Sequence, residues 1–317
     1  MTKFTKTLWL LFKSARPRQW TKNLAVFAAI IFTGQLFHPL LLVLTLKIFI
    51  VFCLIASAAY LINDLLDYPQ DKLHPFKKRR PIASGELDKN PAIVTAIVLI
   101  LVALEFAFLT SYALFFIAIT FVILQLSYTF FFKKVSQADI LVIAAAYILR
   151  VYAGELVTGY HLSVWLMLTV ISLSLFLAVG KRRAEITLLT GGKPNQPLPP
   201  TRATLMRYQP ELLNIYTSIF ATSTFLTYGF FTFFEKIPII RQGSIYQFFL
   251  KYAPAWAERK WLMITVPLVL YGIMRYLQLI YEKGEGESPE RILLSDKPLI
   301  LTVTSWVLLV ILIVYFF

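Results

Sequence analysis

Between Ala92 and Phe132 the chain carries a single charged residue, Glu105. About 20 consecutive apolar residues suffice for a helix to cross the hydrocarbon core of a bilayer, and this stretch is about twice that long. A soluble helix needs a polar face and a soluble strand needs polar turns. The stretch supplies neither, so lipid is its solvent. The composition agrees: 58% of the 317 residues are hydrophobic and 15% are charged, against roughly 25% charged in an ordinary globular domain. A secreted disulfide scaffold and a disordered tail are excluded, and the lone Cys53 has no intrachain partner. Nucleic acid is not an expected partner either. The net charge of +14 first reports orientation in a membrane.

Hydrophobic segments follow at about 24–37, 42–63, 91–110, 112–132, 139–158, 163–180, 212–234, 262–281 and 298–316. They are continuous rather than alternating, which argues against a β-barrel. The expected fold is all-α, a polytopic membrane protein of nine transmembrane helices forming one domain over 1–317. Phe4, Leu8, Leu11, Phe12 and Ala15 recur at helical spacing among scattered cations. Residues 1–22 therefore predict an interfacial amphipathic helix rather than a cleaved signal. With the N-terminus inside, 24 of the 31 Lys and Arg fall on cytoplasmic segments, as the positive-inside rule requires. The segments 64–90 and 181–209 then become cytoplasmic cap loops of a plasma-membrane (inner-membrane) protein.

Chemistry-bearing residues crowd those same segments. Asn63-Asp64-Leu65-Leu66-Asp67-Tyr68-Pro69-Gln70-Asp71 places Asp64, Asp67 and Asp71 on one helical face if the helix persists past Pro69. Three packed carboxylates repel unless cations neutralise them, and Mg²⁺ held by one or two carboxylates plus substrate phosphates suits such a site. The bland alternative is a solvated acidic helix end balanced by lysines. Lys72, Lys77, Lys78, Arg79 and Arg80 follow, then Pro81-Ile82-Ala83-Ser84-Gly85. They form either a positive-inside loop or a phosphate clamp. Lys181-Arg182-Arg183-Ala184-Glu185 is a second cluster, readable as stop-transfer charge with a Lys181–Glu185 pair. Arg16-Pro17-Arg18-Gln19-Trp20-Thr21-Lys22-Asn23 is a third. Arg150 falls about 11 residues into its segment, about 16 Å along a helix; Glu105, Glu155 or a substrate are its candidate partners.

The Asn63-Asp64-x-x-Asp67-x-x-x-Asp71 motif with Arg80-Pro81-Ile82-Ala83-Ser84-Gly85 resembles the first aspartate-rich motif of UbiA-type intramembrane prenyltransferases. The second aspartate-rich motif of that group is missing, and Lys181–Glu185 stands in its place. This pattern, with Arg16–Asn23 and the late Ser288-Pro289-Glu290…Leu294-Ser295-Asp296-Lys297-Pro298, resembles the decaprenyl-phosphate phosphoribosyltransferase branch. The resemblance implies a UbiA-like bundle and a Mg²⁺-dependent enzyme whose active site faces the cytoplasm. A polyprenyl phosphate oxygen would displace diphosphate from C1 of 5-phosphoribosyl-1-diphosphate. Asp64 and Asp67 would be catalytic and, with Asp71, hold Mg²⁺. Lys22, Asn63, Arg80, Lys181 and Arg182 would bind substrate, and Glu185 would bind a ribose hydroxyl or orient Lys181. An aromatic prenyltransferase of quinone or haem biosynthesis and a membrane transporter are the rival classes. The missing second acidic motif weighs against the first, and the crowding of ionisable groups on one face against the second.

Overall fold

The computed structural model describes residues 3–73, 77–190, 208–235, 248, 251–252, 260–281 and 295–316. Among them there are helices and no strands: α1 Lys3–Ala15, α2 Ala28–Phe32, α3 Pro39–Asp71, α4 Lys89–Thr110, α5 Tyr112–Phe130, α6 Ala138–Thr158, α7 Val164–Thr190, α8 Pro210–Phe234, α9 Val266–Tyr281 and α10 Lys297–Phe316. The chain is an all-α polytopic membrane protein. Among the described residues seven helical stretches are long and apolar enough to cross a bilayer, and two of the nine expected segments differ in character. The stretch expected at 24–37 is a 3-10 run over Pro17–Phe27 leading into the five-residue α2. α8 is long enough but rich in Ser and Thr. Its Thr217, Thr224 and Thr227 hydroxyls donate to the carbonyls of Leu213, Phe220 and Ser223, each at 2.7 Å, which satisfies them inside the helix.

Local sequence explains the boundaries. Pro39 starts α3 at a position where a missing N–H costs nothing. The Ser111 hydroxyl accepts from the Leu114 amide at 3.1 Å and begins α5. Gly159, at φ 75°, ends α6. On α4, Ala92, Ala96, Ala103 and Ala107 are buried against α3 while Val94, Leu101 and Leu109 face outward. A stripe of small residues lets two helices approach closely where lipid supplies no hydrophobic drive.

The expected cap loops are partly helical. α3 runs through Pro69 to Asp71 and α7 runs on to Thr190, so both helices reach beyond their apolar portions. Pro69 sits in the last turn, where few hydrogen bonds remain for it to break. Residues 191–207 and Ser288-Pro289-Glu290 lie outside the described residues. The turn after Arg80 is compact: Ser84 bonds back to Arg80 at 2.8 Å and Leu87 to Pro81 at 2.9 Å. Gly85 holds φ 81° there, a conformation other residues resist. Ile82 and Leu87 from this turn pack with Leu10 of α1, Leu61 of α3 and Ala92 of α4. That packing anchors the turn on the bundle and aims Arg80 back at α3.

Candidate active site

The acidic and basic motifs meet at one end of the bundle. Asp64 is 2% exposed, and its Oδ1 accepts from Arg16 Nη2 at 2.5 Å and from Arg80 Nη1 at 3.1 Å. The same Arg80 nitrogen lies 2.6 Å from Asp71 Oδ2. Asp67 turns aside to an ion pair with Lys133. The expected trio is thus divided: Asp64 and Asp71 share a guanidinium, and Asp67 has its own ammonium. Among the described residues no group of three acidic, His or Cys side chains is gathered to hold a metal. The donor set still suits a hard cation. Two carboxylate oxygens converge on one nitrogen position, and a divalent ion there would take the rest of its ligands from substrate phosphates and water. Asn63, half-buried, precedes Asp64 on the same helix.

The three cations of the second cluster point three ways, as successive steps of about 100° around a helix dictate. Lys181 lines a cleft. Arg183 donates from Nε to Asn214 Oδ1 at 2.9 Å and stacks 5.2 Å from the Tyr281 ring. Arg182 is 0% exposed. Its Nε lies 2.7 Å from Asp139 Oδ2, its Nη1 2.7 Å from Glu185 Oε2, and its Nη2 donates to the Tyr128 hydroxyl at 2.9 Å. Instead of forming a wall of the cleft, Arg182 stands behind Tyr128, which does. Glu185 also accepts from Lys77 at 3.2 Å, so it ties the basic turn to α7. Glu185, expected beside Lys181, bonds Arg182 and Lys77. Tyr208 donates to Asp139 and accepts from the Gln137 amide at 2.6 Å. Burial, then the bond to Asp139, pushes its phenol up to about 12.

The cleft is lined by Lys22, Tyr60, Gln125, Tyr128, Tyr147, Arg150 and Lys181 with Val142, Ile143, Ala146 and Leu177, and holds about 620 Å³ including its open mouth. It has three cations and no carboxylate. Tyr60 lies one turn before Asp64 on α3, hydrogen-bonds Gln19 at 3.1 Å and sits under Arg16 at 4.9 Å. One face of α3 therefore joins the cationic cleft to the carboxylates.

Arg150 departs from both acidic partners expected for it. Glu105 is exposed on α4, and Glu155 bonds His161 at 3.0 Å. Arg150 instead donates from Nε to Asn23 Oδ1 at 2.7 Å and from Nη1 to the Ala146 carbonyl, with Phe121 4.7 Å from its Cζ. Asp139, Lys133, Tyr128 and Arg16 were not among the expected site residues. An acid in the first turn of a mostly apolar helix was the available signal for Asp139. The late Asp296 holds Arg275 through two bonds, at 3.1 and 2.7 Å, and caps α10 through the Leu299 amide at 3.0 Å.

A model of the UbiA prenyltransferase family matches residues 23–183. The chain is 33% identical, over 96% of its length and 86% of the relative's, to a decaprenyl-phosphate phosphoribosyltransferase of Corynebacterium glutamicum. A protein of the same name from Mycobacterium tuberculosis is 32% identical over 93% of this chain and 91% of its own. A UbiA homologue from Archaeoglobus fulgidus, solved with GPP and Mg²⁺, superposes with a TM-score of 0.65 at 17% identity, over 96% of this chain and 99% of that one.

Proposed function

The chain belongs to the UbiA prenyltransferase family and is a membrane transferase, and on that premise we propose that it moves 5-phosphoribose from 5-phosphoribosyl-1-diphosphate to a polyprenyl phosphate. A lipid phosphate oxygen forms the new bond to C1 of the ribose as the bond from C1 to diphosphate breaks, and diphosphate leaves. The observation that carries this reading is the cleft with Lys22, Lys181 and Arg150 and no carboxylate. A site lined by that much positive charge suits two phosphorylated substrates better than one phosphorylated substrate and an uncharged aromatic acceptor. The relatives' names point the same way.

Lys22 and Lys181 hold donor phosphates at the cleft walls as point charges. Arg80 and Arg16, already beside Asp64, meet the departing diphosphate. Asp64, Asp67 and Asp71 are the carboxylates that would hold Mg²⁺, which when bound supplies positive charge for the leaving group. Asp139 and Glu185 fix Arg182, and Arg182 fixes the Tyr128 hydroxyl toward the cleft. No strong base is needed, because the acceptor phosphate is ionised before it binds. The cytoplasm is the side from which the soluble donor arrives, with α1 lying along that interface and the turn after α3 beside the site.

The test is incorporation of label. Purified protein in lipid is incubated with Mg²⁺, labelled phosphoribosyl diphosphate and polyprenyl phosphate. A lipid-soluble product that requires all three supports the reading. Consumption of an isoprenyl diphosphate, with phosphoribosyl diphosphate untouched, overturns it in favour of an aromatic prenyltransferase.

A further inference from the structure

Arg150 is a charge that the fold buries without neutralising. It is 4% exposed and lies about 16 Å along α6 from Asp139, at helical rise. Its recorded bonds go to an amide oxygen of Asn23 and a main-chain carbonyl. No carboxylate pairs with it among the described residues, and its Nη2 makes no hydrogen bond there. The nearest aromatic faces, Phe121 and Tyr147, lie 4.7 and 5.6 Å away. They offer modest attraction and no countercharge. A lone cation at such depth in a spanning helix is costly and faces a cavity or a partner. Here it faces the cleft.

The surroundings hold that geometry in place. Asn23 donates from Nδ2 to Cys53 Sγ at 3.2 Å, which leaves its Oδ1 to receive Arg150. One turn after Arg150, a Cβ on Gly154 would stand 2.0 Å from the Val26 carbonyl oxygen. Glycine there lets the 3-10 run carrying Asn23 press against α6. The guanidinium is thus fixed through Nε and Nη1, which leaves Nη2 as the nitrogen available to a ligand in the cleft.

We propose that Arg150 binds the phosphate of the acceptor lipid, a long-chain phosphate monoester, at the floor of the cleft. The inference rests on the reading of a phosphorylated donor and a phosphorylated acceptor, and assigns this residue to one of them. Lys22 and Lys181 share the cleft with it, but Lys22 lies in the 3-10 run and Lys181 in the polar last part of α7, whereas Arg150 has apolar turns of α6 before it. A lipid phosphate whose tail stays in hydrocarbon approaches from that depth, whereas a sugar diphosphate arrives from water. A charge-assisted hydrogen bond from Nη2 to one phosphate oxygen leaves another oxygen of that phosphate to meet a reacting carbon.

The experiment separates the two phosphate sources. Binding of polyprenyl phosphate and of phosphoribosyl diphosphate with Mg²⁺ is measured separately on full-length protein in nanodiscs, for the wild type, Arg150→Gln and Arg150→Lys. We expect Arg150→Gln to weaken the lipid phosphate at least tenfold and the soluble donor less than twofold. Arg150→Lys should recover part of the loss, and polyprenol, which lacks the phosphate, should not distinguish the variants. Loss confined to the donor, equal loss of both, or no loss overturns the proposal. A map of the unaltered protein with polyprenyl phosphate gives a reading that needs no variant. A phosphate oxygen bonded to Arg150 supports the proposal, and a phosphate seated at Lys22 and Lys181 away from Arg150 overturns it. Failure of the reaction itself shows differently, as wild-type protein that ignores phosphoribosyl diphosphate.

Discussion

Arg182 and Arg150 are both sealed in the bundle, at 0% and 4% exposure, yet their surroundings are opposite. Arg182 is met by Asp139, Glu185 and the Tyr128 hydroxyl. Arg150 is met by an amide, a carbonyl and two aromatic rings. A buried cation with its carboxylates in place is electrostatically complete, and its contribution is to hold neighbours in position. A buried cation lacking them still has a charge to satisfy, and the cleft is where a ligand can satisfy it. Burial alone does not tell a structural charge from a binding one. The partners do.

This contrast can be broken from either side. The largest expected effect is on stability. Asp139→Asn removes one of the carboxylates of Arg182 inside the fold and should cost about 3 kcal/mol, the lower end for breaking a buried pair, seen as a fall in Tm. An unchanged Tm would mean that Arg182 does not depend on the pair. Next comes turnover. Asp64→Asn should lower the rate roughly 100-fold or more at saturating Mg²⁺, the scale of losing a main electrostatic stabiliser. Asp71→Asn should lower it less, because Asp64 keeps its bonds to both Arg16 and Arg80. Wild-type rates in Asp64→Asn, or full activity with excess chelator, would remove Asp64 from the mechanism. Gly154→Ala should destabilise by about 2 kcal/mol, because a tight backbone contact must open. It should also loosen the lipid phosphate by moving Asn23 away from Arg150. The smallest effect belongs to Lys77→Ala. Its contact with Glu185, at 3.2 Å, is partly exposed and is worth less than about 1 kcal/mol; a larger loss would show that the basic turn is part of the buried network.

Much of this was legible in the sequence because the bilayer imposes simple rules. Apolar length located most of the helices, and spacing put Asp64, Asp67 and Asp71 on one face of α3, of which Asp64 and Asp71 share Arg80 while Asp67 meets Lys133. Two kinds of fact escaped. Helix ends were set too early, since polarity after residues 63 and 180 signals the limit of hydrocarbon and not the limit of helix. Partners across the bundle were also unreadable: nothing local in Lys133 points to Asp67, and nothing in Arg150 selects Asn23 over Glu155. Those pairings depend on helix rotation and on contacts such as Gly154 against Val26, which are set by packing of the whole bundle. The divergence of Lys181, Arg182 and Arg183 was available from helical geometry alone, provided α7 was known to continue through them.

Arg150 also has a consequence for hydration. With Nε and Nη1 engaged by the protein, the remaining Nη2 of the guanidinium is served by water whenever no phosphate is there. The cleft must then stay wet well below the membrane surface. Capture of the lipid is an exchange of solvent for phosphate, and its affinity should strengthen under osmotic stress from solutes too large to enter the cleft.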